Sequence, residues 1–252
     1  MQTIGLIAAM PQESNALLRV INGTERIHLG ALRGYRFELA GRICILITSG
    51  MGMRRAAEAT RLLVKEFNPC LLVSFGIAGA VETELEIGDV VASEAFCELK
   101  GSTPGSLLPL GRWPEKPLRA ISQILAGRNS RLFNGTAVTT RGSQVTQEQL
   151  GDLTHPVLEM ETAGIATVAA EKEIPLLSLR AISDGPRAPI PFDLGEMLDE
   201  DANLKYGKLL KELFRRPSLL LQANQMQRNS RIAEDNAALA LVSALTCIPS
   251  ST

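Results

Sequence analysis

Several things are scarce in this sequence of 252 residues. Charge of one sign is not in excess: 26 Lys and Arg stand against 27 Asp and Glu, a net charge of −1. With no basic block either, no nucleic-acid partner is implied. There are two histidines, His28 and His155, without ligand-type neighbours in sequence, which argues against a zinc site. Four cysteines, at 44, 70, 97 and 247, show no metal-type pairing. Cys44 and Cys70 fall in apolar strand-like runs, where a small buried thiol is the ordinary state, so a reducing, cytoplasmic compartment is expected. No apolar run is long enough to span a bilayer. The apolar start, Met1 to Met10, lacks a basic lead and reads as a buried first strand rather than a signal peptide.

Common catalytic signatures are missing as well. Gly50-Met51-Gly52 would need a glycine at 55 for the dinucleotide fingerprint, and Arg55 stands there. Gly76 to Gly79 has the wrong spacing, and no Gly-Lys-Ser/Thr phosphate loop occurs. There is no Gly-x-Ser-x-Gly elbow. Hydride transfer, nucleotide hydrolysis and esterase chemistry all lose support.

What is present is ordinary globular composition, 45% hydrophobic and 21% charged, on a chain long enough to bury a large core. Short apolar runs at 3–10, 43–48, 70–75, 85–92, 135–140, 157–161 and 176–182 read as strands, with a half-exposed one at 33–39. Helical spacing follows residues 11–13 and marks 53–67, 118–125, 162–172 and 198–216. Residues 100–117, rich in Gly, Pro and Ser, read as a loop. The alternation predicts a mostly parallel sheet covered on both faces. The tail from 217 to 247 places Leu219, Leu220, Ala223, Met226, Ile232, Leu239, Val242 and Leu245 as one or two amphipathic helices around a polar middle.

Four carboxylates stand at or just beyond strand ends: Glu13, Glu159, Glu161 and Asp184. In an extended 157–161, Glu159 and Glu161 share a face while Met160 points to the other. Thr162 reads as the cap of the following helix. Parallel strands bring their carboxyl ends to one edge, where such acids can meet around a pocket.

Five segments carry a family resemblance in this order: Ile4 to Glu13; Ser49-Gly50-Met51-Gly52; Phe75 to Ala80 with Gly88-Asp89-Val90-Val91; Leu158 to Ala163; and Arg180 to Asp184. Together they resemble the nucleoside phosphorylase/nucleosidase family, nearest to the 5′-methylthioadenosine/S-adenosylhomocysteine nucleosidases, over about residues 3–214. The resemblance implies an α/β fold, a three-layer α/β/α sandwich with a mixed, partly barrel-like central sheet. It implies a catalytic domain at 1–216, to which 217–252 is a helical C-terminal extension. The implied activity is cleavage of the N-glycosidic bond of a purine nucleoside, with adenine as the expected base. Asp184 resembles the acid that serves purine N7, Glu13 the base that activates water, and Arg180 their electrostatic partner. Glu161, the Met160 backbone and Met51 resemble the ribose contacts, and Glu159 belongs to the same motif. Val145 matches a base contact, and Ser183 and Gly79 complete the substrate site. No metal or organic cofactor is implied, with phosphate as an alternative co-substrate. The partners implied are a small nucleoside and a homodimer or larger homo-oligomer.

The roles suit the chemistry. Breaking the bond builds an oxocarbenium-like sugar and a departing anionic base, so one group must protonate the base and another activate water. Asp184 needs burial to hold a proton near neutral pH. Two positions that hold phosphate in family phosphorylases are Ser74 and Ile77 here, which favours water as nucleophile; Ile77 also replaces a serine that positions that water in nucleosidases. Gln144 replaces a base-stacking phenylalanine. The tail, with Arg215-Arg216-Pro217, resembles the hopanoid-associated branch of the family, which implies an adenosylated lipid as an alternative substrate and contact of the tail with a membrane surface. A noncatalytic nucleoside-binding protein is the alternative of another class.

Overall fold

Near-continuous apolar strands need cover on both faces, and here they have it. The structure, a computed structural model, describes residues 1–141, 145–189 and 219–248. Strand β1 (Thr3–Ala8) leads into helix α1 (Pro11–Val20) and then the meander β2 (Glu25–Leu29), β3 (Leu32–Leu39) and β4 (Arg42–Thr48). Helix α2 (Met53–Phe67) precedes β5 (Leu71–Ala80) and the long β6 (Val90–Lys100). Two short strands, β7 (Thr103–Pro104) and β8 (Leu108–Pro109), follow, then α3 (Glu115–Ala126), β9 (Leu132–Thr139) and a one-turn α4 (Gln147–Leu150). The chain continues through β10 (Pro156–Glu159), α5 (Thr162–Glu171), β11 (Leu176–Asp184) and α6 (Leu219–Cys247).

The strand order is β10-β9-β6-β11-β5-β1-β4-β3-β2, and β10 also pairs with β5. That extra pairing closes β5, β11, β6, β9 and β10 into a ring, and β1 to β4 extend the sheet beyond it. The expectation of a mostly parallel sheet needs correction. β2 with β3 and β3 with β4 run antiparallel because tight turns join them, while β4 pairs in parallel with β1. β11 with β6, and β10 with β5, are antiparallel as well.

Alternation along the strands sorts the core into layers. Ile4, Leu6 and Ala8 of β1, with Cys44 and Leu46 of β4, pack with Leu17 of α1 and Ile121 and Leu125 of α3. Ile7, Ile45 and Ile47 point the other way, onto Ala56 and Leu63 of α2 and Ile165 of α5. This is the α/β/α arrangement with a mixed sheet. The helix α6 is one continuous element, and its Ala233, Ala237, Ala240, Leu241, Ala244 and Leu245 are buried in the same cluster as Leu17 and Ile121.

Other expectations shift at their edges. β5 and β6 run on past the apolar cores read from the sequence, to Ala80 and Lys100. Part of the 100–117 loop is structured because β7 and β8 pair with the edge of β6. Cys70 is exposed, just ahead of β5, whereas Cys44 and Cys97 are buried. The helix expected at 198–216 and the position of Gln144 lie outside the described residues.

Candidate active site

The cavity that gathers the expected residues has a volume of about 600 Å³. It opens where β1, β4, β5 and β11 end, the edge at which open α/β sheets take ligands. Each expected acid reaches it differently.

Glu13 does not follow a strand directly. The helix α1 starts at Pro11, where proline's missing N–H is harmless. Glu13 therefore sits in the first turn, where its Oε2 accepts the Met10 N–H at 2.8 Å. Its Oε1 accepts the Ile77 N–H at 2.9 Å. A Cβ on Gly76 would stand 2.2 Å from that same oxygen, so only glycine lets β5 and this carboxylate meet. Burial raises the Glu13 pKa, opposed by those two N–H donors and by Arg180.

Asp184 ends β11. The register between β11 and β5 shifts between Ile182 and Asp184, a bulge that re-aims the last side chain. Asp184 comes to lie over Gly79, where a Cβ would approach its Oδ2 to 2.7 Å. The Ser183 hydroxyl donates to Asp184 Oδ1 at 2.6 Å. Burial raises the Asp184 pKa, and the Ser183 bond only partly opposes it.

Glu159 and Glu161 arrive on β10, which crosses the end of β5 in the opposite direction, Leu158 facing Gly79. β10 is parallel to β9, with Glu159 beside Thr139, so the two acids reach the cavity from the carboxyl end of β10. The run 157–161 is not extended throughout: the strand stops at Glu159, and Glu161 is the N-cap of α5. Thr162, expected as the cap, is the first helical residue.

Glu159 takes over that capping. Its Oε2 accepts the N–H of Glu161 at 3.0 Å, the N–H of Thr162 at 2.7 Å and the Thr162 hydroxyl at 2.8 Å. The Thr139 hydroxyl donates to its other oxygen. Arg180 completes the set with an Nη2 contact of 2.9 Å, both side chains being almost wholly buried. Burial pushes the Glu159 pKa up, but Arg180 and the two hydroxyls outweigh it and hold the carboxyl below its usual range.

Glu161 meets the opposite balance. Its Oε1 accepts the Gly52 N–H at 2.9 Å, at the start of α2. Burial and the neighbouring Glu159 charge push its pKa up to about 8.

The cavity wall thus contains Glu13, Glu159, Glu161, Asp184, Met51, Gly79, Val145, Met160 and Ser183. Arg180 is not part of it. It lies behind the wall, where it donates to Ser74 Oγ at 2.7 Å as well as to Glu159, so its reach toward the reaction is through them. Sequence reading missed Ala9, Met10, Thr140, Met226 and Ser230 in the wall. Met10 was legible as a neighbour of Glu13; Met226 and Ser230 gave no signal beyond helical spacing. Among the described residues, no group of three or more His, Cys, Asp or Glu could hold a metal ion.

The chain is similar to known proteins. The chain belongs to the phosphorylase superfamily, whose profile matches residues 3–215. A 5′-methylthioadenosine/S-adenosylhomocysteine nucleosidase of Listeria welshimeri is 30% identical over 211 residues, 76% of this chain and 91% of that one. The enzyme of the same name from Tolumonas auensis is 28% identical over 228 residues, 83% of this chain and 99% of that one. The fold is that of the Neisseria meningitidis 5′-methylthioadenosine/S-adenosylhomocysteine nucleosidase, solved with methylthio-immucillin-A: TM-score 0.71 at 21% identity, covering 98% of this chain and 100% of that chain.

Proposed function

We propose that this protein hydrolyses the N-glycosidic bond of an adenine nucleoside, releasing the free base. One observation carries the reading. Three carboxyl groups distant in sequence, Glu13, Glu161 and Asp184, line one cavity, and burial favours the protonated form of each.

The roles follow from position. β5 lies between β1 and β11. Glu13 is anchored at Ile77 and Asp184 stands over Gly79. Two residues of extended strand separate those points by roughly 7 Å, room for a ribose carbon and a water between two carboxyl groups. Asp184, carrying its proton, donates to N7 as the base leaves. Glu13 accepts a proton from the attacking water, and Glu161 with the Met160 backbone holds the ribose hydroxyls. Arg180 positions Glu159, which in turn fixes the start of α5 and so the placement of Glu161.

Water is favoured over phosphate. Ser74 is engaged by Arg180, and the Ile77 N–H by Glu13. None of the described residues lining the cavity is a lysine or arginine. The lipid-linked alternative gains no support. Ala233, Ala237, Ala240, Leu241, Ala244 and Leu245 of α6 are turned into the core rather than toward a membrane surface, and no helix among the described residues is long and apolar enough to cross a membrane.

We place the enzyme in the cytoplasm as a homo-oligomer. Its four free cysteines suit a reducing compartment. A second groove, bounded by α5 and residues 105–111 with Leu108 exposed, offers an apolar surface to another copy.

The test is incubation with a panel of purine nucleosides, with and without phosphate, reading released base by chromatography. Release of adenine without phosphate is the expected result. Turnover only with phosphate makes the protein a phosphorylase, and binding without turnover makes it a noncatalytic nucleoside binder.

A further inference from the structure

The stretch Gly88-Asp89-Val90-Val91 lines no part of the cavity, yet Asp89 is almost wholly buried. Burial is a costly place for a carboxyl group unless its oxygens are fully engaged. Here they are. Asp89 Oδ2 accepts the Glu86 N–H at 3.0 Å and the Arg131 guanidinium at 3.0 Å. Its Oδ1 accepts the Arg131 N–H at 2.7 Å.

These bonds close a turn. The Asp89 N–H donates to the Glu86 carbonyl at 3.0 Å, so residues 86 and 89 are joined through backbone and side chain together. Gly88 takes the third position of the turn at φ +90°, where glycine is favoured. A Cβ there would stand 2.9 Å from Asn236 Nδ2, which donates to the Gly88 carbonyl at 2.7 Å. The turn is therefore held by Asp89 and Arg131 and by α6 as well.

The turn in its own right holds the end of β11. The Gly88 N–H donates to the Ile182 carbonyl at 2.9 Å, and the Ile182 N–H donates to the Asp89 carbonyl at 2.8 Å. Ile182 is also paired with Ala78 of β5, and it is the last paired residue before the bulge that re-aims Asp184. Ile87 packs against the cluster that contains Ile182 and Ala78. Beyond Asp184, Arg187 reaches back to Glu86 at 2.6 Å, but both side chains are exposed and the pair adds little. Of the two attachments that bracket Asp184, the backbone pair at Ile182 is the firm one.

We propose that Asp89 is a positioning residue for the reaction: by fixing the 86–89 turn it sets the backbone of Ile182, and through it the bulge that aims Asp184 into the cavity. This rests on the nucleosidase reading, in which Asp184 is the acid. Asp89 touches no part of the substrate site, but misplacing a reacting group by about 1 Å can cost about 10²-fold in rate. Arg131 shares the role through its guanidinium.

The experiment measures adenine release from adenosine and 5′-methylthioadenosine, per folded molecule, by Asp89→Asn, Arg131→Met and each combined with Asp184→Asn. An amide at 89 cannot accept at both ends, so kcat should fall about 10²-fold, with KM little changed because Glu161 and Met160 still hold the ribose. Arg131→Met keeps the backbone N–H to Asp89 and should lose less, in the same direction. In the Asp184→Asn background neither change should lower kcat further, because the group being positioned is already gone. Equal losses in both backgrounds, or unchanged kcat in both single variants, overturn the proposal while base release still upholds the nucleosidase reading. Should Asp89→Asn not fold, the Arg131→Met pair decides alone. If the wild type releases no base, the nucleosidase reading fails, and a crystal structure of Arg131→Met or Asp89→Asn reads the positioning without turnover. Asp184 displaced from Gly79 is the expected result there, and an unmoved Asp184 overturns the role of Asp89.

Discussion

The Oε2 atom of Glu159 accepts the backbone N–H of Glu161 at 3.0 Å, and the two side chains have opposite proton affinities. Both are buried. Arg180 is the difference: it touches Glu159 directly and acts on Glu161 only from a distance. Glu159 is therefore ionised and structural, while Glu161 is left to face the cavity holding a proton until a ligand changes its surroundings.

Glu161→Gln should make the empty protein more stable at high pH. A carboxyl whose folded pKa is about 8 against an ordinary 4.5 binds more protons folded than unfolded between those values. Wild-type stability therefore falls as pH rises from about 4.5 to about 8. The amide removes that loss. Thermal melts should show the variant gaining several degrees at pH 8 and nothing at pH 4, while base release is lost.

Asp184→Asn should abolish protonation of the leaving base and leave the fold intact, because the side chain ends at the cavity and bonds to Ser183 alone among the described residues. Base release should fall by about 10²–10⁴-fold, with no loss of melting temperature, because burial already disfavours the charged carboxylate. A variant with near-normal turnover removes Asp184 from the reaction.

Gly79→Ala should damage activity more than stability. The added Cβ meets the end of the Asp184 side chain rather than backbone, so the carboxyl swings aside and the strand stays. The measurement is kcat beside a urea midpoint. A large fall in the midpoint with normal kcat would contradict this placement.

Arg180→Met should destabilise the fold, because it strands a buried carboxylate; breaking such a pair costs about 3–5 kcal/mol. With the arginine gone, burial dominates and Glu159 takes up a proton, so its folded pKa is raised and stability is lost as pH rises. Urea unfolding should therefore show a smaller deficit at pH 5 than at pH 8.

Much of the scaffold was legible in residue order. The limits of α2 follow from the turn at Gly50–Gly52 and the helical spacing after it, and β4 and β11 from uninterrupted apolar runs. Glycines at 76 and 79 marked a close approach of backbone to something, but not to what. That β5 continues through them was not legible, because glycine and alanine carry no strand signal of their own and only pairing with β11 makes them one.

The acids themselves and the alternation that buries both faces of β1 and β4 are determined by the sequence alone, since each is a property of neighbours along the chain. Tertiary structure decided the rest. It turned β10 antiparallel across β5, gave the negative charge to Glu159 rather than Glu161, and laid Met226 and Ser230 against the cavity. Those outcomes depend on groups brought together from far along the chain, Arg180 beside Glu159 and α6 beside α1, and no local pattern encodes a distance through space.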